Sequence, residues 1–278
     1  MINFLHTFTP TAVLAAWGPV TIYWYGLLMA VAMLAAIIAA SRLGRWYHLK
    51  SEVIMDLSFW LIVGGVIGAR LYYIGLEWDY FSGNLGDLVK IWQGGLAIHG
   101  GIIAGLLVLW LFARLRKINF WLLASVVVPA LALGQAIGRW GNYFNQELFG
   151  LPTGAPWGIP IATINRPAAY LQNSFFHPTF LYESIGTLLL FGFLILAHYL
   201  AVKENKNLTL NQRAITFAYL IFYSVLRFVL EEFRVDATPM VGPWRWPQVV
   251  SAVLALVSLA ILIYSAFQQK KKSKTPFI

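Results

Sequence analysis

Arg227, Glu231 and Arg234 stand in the stretch LRFVLEEFR, and their i, i+4, i+7 spacing puts all three on one face of a helix. Two arginines against one carboxylate leave positive charge over, which suits an anionic ligand. The same triad also reads as an internal ion-pair ladder closing a helix end, and spacing alone does not separate the two. Glu232 points off this face and is expected to be solvated. A second constellation is Gly138-Arg139-Trp140-Gly141-Asn142-Tyr143-Phe144-Asn145, running on to Gly150. On a helix, Gly138, Gly141, Asn142 and Asn145 share a face. Small residues there let a bulky group approach the backbone, and the amides offer neutral hydrogen bonds. Arg139 adds a planar fork that can engage two phosphate oxygens. The competing reading is a helix end capped by Asn.

Further polar groups sit at similar places along the chain. His99 is followed by Gly100 and Gly101, which weaken helix propensity and open space beside the imidazole. A lone His is more often structural than catalytic, so both roles stay open. His177-Pro178 leads into Leu181-Tyr182-Glu183, where a Glu in an apolar run needs Tyr182 or an Arg as partner. Trp24-Tyr25-Gly26 supplies a Tyr hydroxyl or simply an aromatic-belt residue. Arg70, Arg139 and Arg227 lie in or beside apolar helices, where an Arg in hydrocarbon costs about 2.5–3.5 kcal/mol on the lenient insertion scale. Such residues face a cavity, a partner or a polar ligand.

The elements that carry these groups are membrane spans. Of 278 residues 59% are hydrophobic and 11% charged, far below the roughly 25% charged of soluble domains. Apolar runs of about 20 residues fall near 20–41, 53–76, 96–113, 120–138, 178–201, 214–233 and 247–267. The predicted fold is all-α and polytopic, one integral-membrane domain over 1–278. No Cys is present, which excludes disulfides, thiolate metal sites and Cys nucleophiles. Met1 to Val20 has neither a basic start nor a small-residue cleavage site, so it is not expected to be a cleaved signal peptide.

Charge placement sets the orientation and removes nucleic acid as the explanation of the net +9. Arg42, Arg45 and Lys50 follow the first span, and Arg114, Arg116 and Lys117 the third. Lys203, Lys206 and Arg213 lie between the fifth and sixth, and Lys270, Lys271, Lys272 and Lys274 end the chain. All these fall on one side, the cytoplasmic side by the positive-inside rule, which puts the N-terminus outside and the C-terminus inside. Arg70, Lys90, Arg139, Arg166, Arg227, Arg234 and Arg245 run against this trend at outer positions. Residues 140–177, rich in Gly, Pro, Asn and aromatics, are expected to form a small outer lobe between spans four and five. Gly64 and Gly68, Gly101 and Gly105, and Gly134 and Gly138 have the GxxxG spacing of close helix packing. Arginines, asparagines and a histidine at one depth, with few acids, describe an outer-leaflet site for a phospholipid.

The stretch Gly138–Asn145 resembles the GRxGNFxN signature of the bacterial prolipoprotein diacylglyceryl transferase family, with Tyr143 in place of Phe. WYG at Trp24–Gly26, GARLYY at Gly68–Tyr73, HGG at His99–Gly101, HPxxLYE at His177–Glu183 and RxxxExxR at Arg227–Arg234 follow in the family's order. Thr179-Phe180 stands where the family commonly has Ser-Gln, which removes one polar contact. The resemblance implies an enzyme of the bacterial cytoplasmic (inner) membrane whose site faces the outer leaflet. It would move the diacylglyceryl group of phosphatidylglycerol onto the lipobox Cys thiol of a prolipoprotein signal peptide, releasing glycerol phosphate. No cofactor or metal is called for, and the partners are the lipid bilayer and these two substrates.

By the same resemblance His99, Arg139 and Arg227 would be catalytic. Tyr25, Asn142, Glu147, Gly150, Glu231 and Arg234 would bind substrate, with Glu147 and Glu231 holding arginine side chains in place; Arg70 and Asn145, taken from the residues themselves, are expected to join them. A seven-helix retinal protein would need a Lys in the last span, and 247–267 has none. A transporter would be expected to show an internal repeat, and none stands out. GxSG, GxGD and HExxH, the marks of intramembrane proteases, are missing from the sequence. A phospholipid-binding or transport protein without chemistry is the remaining alternative.

Overall fold

A computed structural model describes residues 2–204 and 208–274, with side chains over 5–204 and 211–268. Lys206 and the side chains of the terminal lysines lie outside this range. A short helix α1 (Ile2–Thr7) precedes a hairpin of β1 (Val13–Trp17) and β2 (Val20–Tyr23), with Gly18 in its turn at φ 56°. Then come α2 (Trp24–Arg45), α3 (Ser51–Leu76), the short α4 (Trp78–Gly83), α5 (Ile98–Arg116) and α6 (Phe120–Phe144). The pair β3 (Ile159–Pro160) and β4 (Phe175–Phe176) precedes α7 (Thr179–Glu204) and α8 (Leu208–Glu231). A last hairpin of β5 (Met240–Val241) and β6 (Trp244–Arg245) leads into α9 (Trp246–Lys274).

Among the described residues seven helices, α2, α3 and α5 to α9, are long and apolar enough to cross a membrane, one for each predicted span. Two boundaries differ for physical reasons. The first helix starts at Trp24 rather than near 20, because Val20–Tyr23 pair with β1. The fourth runs on to Phe144 rather than 138, so the whole GRWGNYF stretch is helical. Pro129 is accommodated inside α6, as apolar spanning helices allow when neighbours re-satisfy the freed backbone. Basic side chains close α2 (Arg42, Arg45) and α5 (Arg114, Arg116), where cations meet the negative end of the helix dipole.

The chain falls into two compact units: Met1–Ala39 with Val128–Ile278, and Ala40–Val127. In the smaller unit, α3 and α5 touch backbone to backbone. A Cβ on Gly100 would lie 2.2 Å from the Gly68 carbonyl oxygen, and one on Gly68 would lie 2.2 Å from Ala104 Cβ. Gly64 packs on Val108 in the same way. The closest small-residue contacts on α5 are therefore at Gly100 and Ala104; of the expected pair, a Cβ on Gly101 would lie 3.5 Å from the Gly65 oxygen, while Gly105 has nothing within 4 Å.

In the larger unit one apolar cluster joins Leu5, Tyr143, Phe149, Ile159, Ile161, Phe176 and Phe180 beneath residues 145–178. A second joins α6, α7 and α8 through Val128, Ala132, Leu190, Leu194, Ala201, Ile215 and Tyr219. α1 is fastened to the first region: His6 Nδ1–H donates to the Gly158 carbonyl at 2.8 Å, and its ring stacks on Phe175 at 4.0 Å.

Candidate functional site

In the larger unit, α6 brings Arg139 to α7. Arg139 Nη2 lies 2.5 Å from Glu183 Oε1, and Glu183 is only 3% exposed. The Tyr223 hydroxyl of α8 donates to the same carboxylate oxygen at 3.2 Å. Glu183 thus takes an Arg rather than Tyr182 as its partner. Tyr182 accepts from Trp157 Nε1–H at 2.9 Å and sits 3.1 Å from His177 Nδ1. Burial holds His177 below the usual imidazole range, which favours the neutral ring.

The second Arg139 nitrogen extends the chain of bonds. Nη1–H donates to Asn142 Oδ1 at 3.2 Å, and Asn142 Nδ2–H donates to Glu147 Oε1 at 2.7 Å. Asn145 reaches the same Glu147 oxygen at 3.4 Å. Glu147 was expected to hold an Arg. Instead it holds two amides, and Glu183 holds Arg139. Gly141 is a seat for Tyr25: a Cβ there would lie 2.7 Å from the Tyr25 ring. The Tyr25 hydroxyl has no hydrogen-bond partner among the described residues.

One turn beyond Tyr223 on α8, Arg227 Nη2 donates to Glu231 Oε2 at 2.7 Å. Arg227 Nη1 is buried and has no hydrogen-bond acceptor among the described residues. Arg234 is only 4.0 Å from Glu231 and turns mainly to Asp236, at 2.5–2.6 Å. The ladder read from the sequence is therefore half right: Glu231 orients Arg227 closely and Arg234 weakly. Glu183, expected to need Tyr182 or an Arg, takes Arg139, and Asp236 adds a further carboxylate, so the region is less cationic than expected. Glu232 is exposed, yet it accepts from buried Gln248 rather than facing solvent alone.

Gly150 belongs to this region as a buckle. Its N–H donates to the His177 carbonyl at 2.9 Å, it bridges Arg234, and Leu151 N–H reaches the Phe233 carbonyl at 2.6 Å. A Cβ on Gly150 would lie 2.7 Å from His177 Cβ and 2.8 Å from the Phe233 oxygen. Only Gly lets these three backbones meet. Leu148, two residues before it, is held at φ 55° and its carbonyl accepts from the Thr179 hydroxyl. Both departures from the family pattern meet here too, since the Tyr143 ring stacks on Phe180 at 4.6 Å. An aromatic pair stands where a polar side chain was anticipated.

Arg70 and His99 belong to the smaller unit. Arg70 is 8% exposed and is bound by backbone carbonyls: Leu88 on Nε at 3.0 Å, Gly94 and Gly95 on Nη1 at 2.9 and 3.1 Å, and Asp87 on Nη2 at 2.5 Å. Its guanidinium also lies 5.1 Å from the Phe81 ring centroid. A cavity of about 340 Å³ opens beside it, lined also by Tyr73, Glu77 and Tyr80. His99 is exposed at the start of α5, with its ring 6.0 Å from that of Tyr72 and no hydrogen bond among the described residues. Gly100 packs against α3 rather than opening room for a ligand.

Arg245, like Tyr223 and Asp236, belongs to this region without having been singled out from the sequence. Its Nε lies 3.1 Å from Glu231 Oε1. Its only sequence signal was membership of the seven basic residues that run against the charge trend.

The arrangement can bind an anion through Arg227 and Arg139 while each arginine is oriented by a buried carboxylate. Comparison with known proteins identifies the family. The family model for prolipoprotein diacylglyceryl transferase matches residues 12–264. A phosphatidylglycerol–prolipoprotein diacylglyceryl transferase of Synechococcus elongatus is 45% identical over 256 residues, covering 92% of this chain and 88% of the relative. Those of Acaryochloris marina and a Nostoc species are 43% and 42% identical, covering 85% and 95% of this chain and 84% and 92% of the relatives. A match of this length in both family and relatives means that the chain belongs to the prolipoprotein diacylglyceryl transferase family.

Proposed function

We propose that this protein transfers the diacylglyceryl group of phosphatidylglycerol to the lipobox cysteine of prolipoproteins. The cysteine Sγ attacks the glyceryl carbon that bears the phosphate ester. A C–S thioether bond forms, the C–O bond breaks, and its electron pair leaves on the phosphate oxygen as glycerol phosphate. The observation that carries the reading onto particular atoms is the buried, unaccepted Arg227 Nη1 beside the Glu231-bound Nη2. A buried cationic donor with no protein acceptor is aimed at charge that arrives with the substrate or develops in the reaction.

Arg139 is assigned to the phosphate and headgroup, with Tyr25, Asn142, Asn145, Glu147 and Gly150 forming and fixing the headgroup region. Arg227 serves the leaving phosphate or the thiolate. His99 is the general base for the thiol, whose unperturbed pKa of about 8.5 leaves it mostly protonated at neutral pH. Arg70 shapes the loop beside its helix. The division of basic residues supports an N-terminus outside, a C-terminus in the cytoplasm, residues 140–177 as an outer lobe, and a site opening to the outer leaflet. The test is incubation of purified protein with labelled phosphatidylglycerol and a lipobox peptide. Thioether-linked peptide and free glycerol phosphate are expected. Lipid binding without either product would leave only a phospholipid-binding protein.

A further inference from the structure

Glu231 is 1% exposed, and a buried carboxylate left partly unpaired is costly. Arg227 occupies one of its oxygens. What faces the other is Arg245, from the hairpin between α8 and α9, with Nε 3.1 Å from Glu231 Oε1. That Nε directs its hydrogen to the Thr238 hydroxyl at 3.0 Å, so the pairing with Glu231 is ionic rather than a formed hydrogen bond. The other Arg245 nitrogens clamp the backbone that follows α8. Nη1 donates to the carbonyls of Glu231, at 3.2 Å, and Arg234, while Nη2 donates to that of Asp236. Arg245 is the half-buried side chain of a hairpin whose Met240, Val241 and Trp244 are exposed apolar residues, Trp244 also resting on the Phe228 ring at 5.4 Å.

We infer that Arg245 is a positioning residue for the transfer reaction, acting on Arg227 through Glu231. It fixes the C-terminal end of α8 by its carbonyl contacts and holds the far oxygen of Glu231 by charge. The near oxygen then presents Arg227 in a single orientation with Nη1 unaccepted. Without Arg245, the Glu231 carboxylate is free to turn and take Arg227 with both oxygens, which withdraws the donor meant for the substrate. Arg234 does not do this work, because Asp236 occupies it.

The inference rests on the reading of the protein as a diacylglyceryl transferase. Its test is a double-mutant cycle on purified full-length protein with phosphatidylglycerol and a lipobox peptide. Arg245→Ala is expected to lower kcat about 10- to 100-fold, with KM for the lipid changed less than about threefold. In a Glu231→Gln background the same change is expected to cost less than about threefold more, because the route it acts through is already cut. Arg245→Lys, which keeps the charge but not the fork, is expected to fall between. An Arg245→Ala rate within about threefold of wild type overturns the proposal, as does an equal loss in both backgrounds. If Arg245→Ala does not fold, Arg245→Lys with native melting decides: an unchanged kcat overturns the proposal and a lowered kcat at unchanged KM supports it. Absence of transfer by the wild-type protein would instead defeat the functional reading. Coupling of the two substitutions in melting temperature would then still show whether Arg245 holds Glu231, and additive shifts would overturn that.

Discussion

Arg70 and Arg227 are both arginines in apolar helices, and the sequence presents them alike. The molecule treats them differently. Arg70 is bound by four main-chain carbonyls, so its charge and shape hold a loop. Arg227 and Arg139 are each held by one buried carboxylate and keep donor capacity. The high cost of placing an Arg in an apolar span therefore does not by itself identify a ligand site. What distinguishes the two is where the guanidinium hydrogens already go.

The largest expected effects test this contrast directly. Arg227→Ala should lower turnover about 10²- to 10³-fold, the range for removing a preorganised donor at developing charge, and Arg139→Lys should lower it about 100-fold. Neither should shift the melting temperature as much as Arg70→Lys, which leaves carbonyls without donors and should cost about 3 kcal/mol. Glu231→Gln, which weakens orientation without deleting a donor, should impair turnover less than Arg227→Ala. Thermal melts in detergent beside rate measurements at excess lipid decide it. Near-normal rates for both Arg139→Lys and Arg139→Gln would remove the phosphate role. Full activity loss in a stably folded Arg70→Lys would erase the contrast.

Much of this was legible because it is local. Apolar runs locate seven helices, and i, i+4 spacing locates Arg227 on Glu231. What joins distant segments was legible only in part. Glu183 advertised that a buried carboxylate needs a partner, but nothing in the chain says that it is Arg139, 44 residues away. Arg245 reaches Glu231 only because a turn at Gly242, φ 59°, folds the chain back over α8. GxxxG spacing picked out Gly101, which only borders α3, and missed the closer approach of Gly100 to Gly68, since such spacing marks which residues are small and not which face meets the neighbour. Glu147 shows the same limit: an acid near arginines in sequence bonds to Asn142 and Asn145 instead.

A smaller effect concerns His99, which sharpens the comparison from the side of the base. If His99 accepts the thiol proton, His99→Gln should lose about 10- to 100-fold, since general bases contribute about 10²–10⁴-fold and solvent can replace part of that. The acid limb of the wild-type pH–rate profile should then vanish in the variant. Arg227 and Arg139 offer the rival route, lowering the thiol pKa by their field alone. An unchanged acid limb in a still-active His99→Gln enzyme would assign the thiolate to the arginines. It would also widen their lead over every group in the smaller unit.

The smallest effect lies in the loop that Arg70 holds. The Asp87 carboxylate accepts from Lys90 Nζ and from the Tyr80 hydroxyl, each at 2.6 Å. The Lys90 ammonium first, then the Tyr80 hydroxyl, hold the Asp87 carboxyl below the usual range, and Asp87 in turn pushes Lys90 and Tyr80 up. A depressed carboxyl contributes stability above its unfolded pKa, lost as pH falls through the folded one. A raised ammonium or phenol contributes below its unfolded pKa, lost as pH rises through the folded one. The clasp therefore operates between about pH 4 and pH 10. All three groups are open to solvent, so screening keeps the contribution small and salt-sensitive. The Arg70 bonds run to carbonyls, which do not titrate in this window, and they hold the loop when the clasp is gone. Trypsin cleavage after Lys90 at neutral pH reads this out. Asp87→Asn should speed cleavage no more than about threefold, an increase abolished in high salt, whereas Arg70→Lys should speed it at least about tenfold. If Asp87→Asn opens the loop as much as Arg70→Lys does, side-chain charge holds it, and Arg70 would have donors to offer a ligand after all.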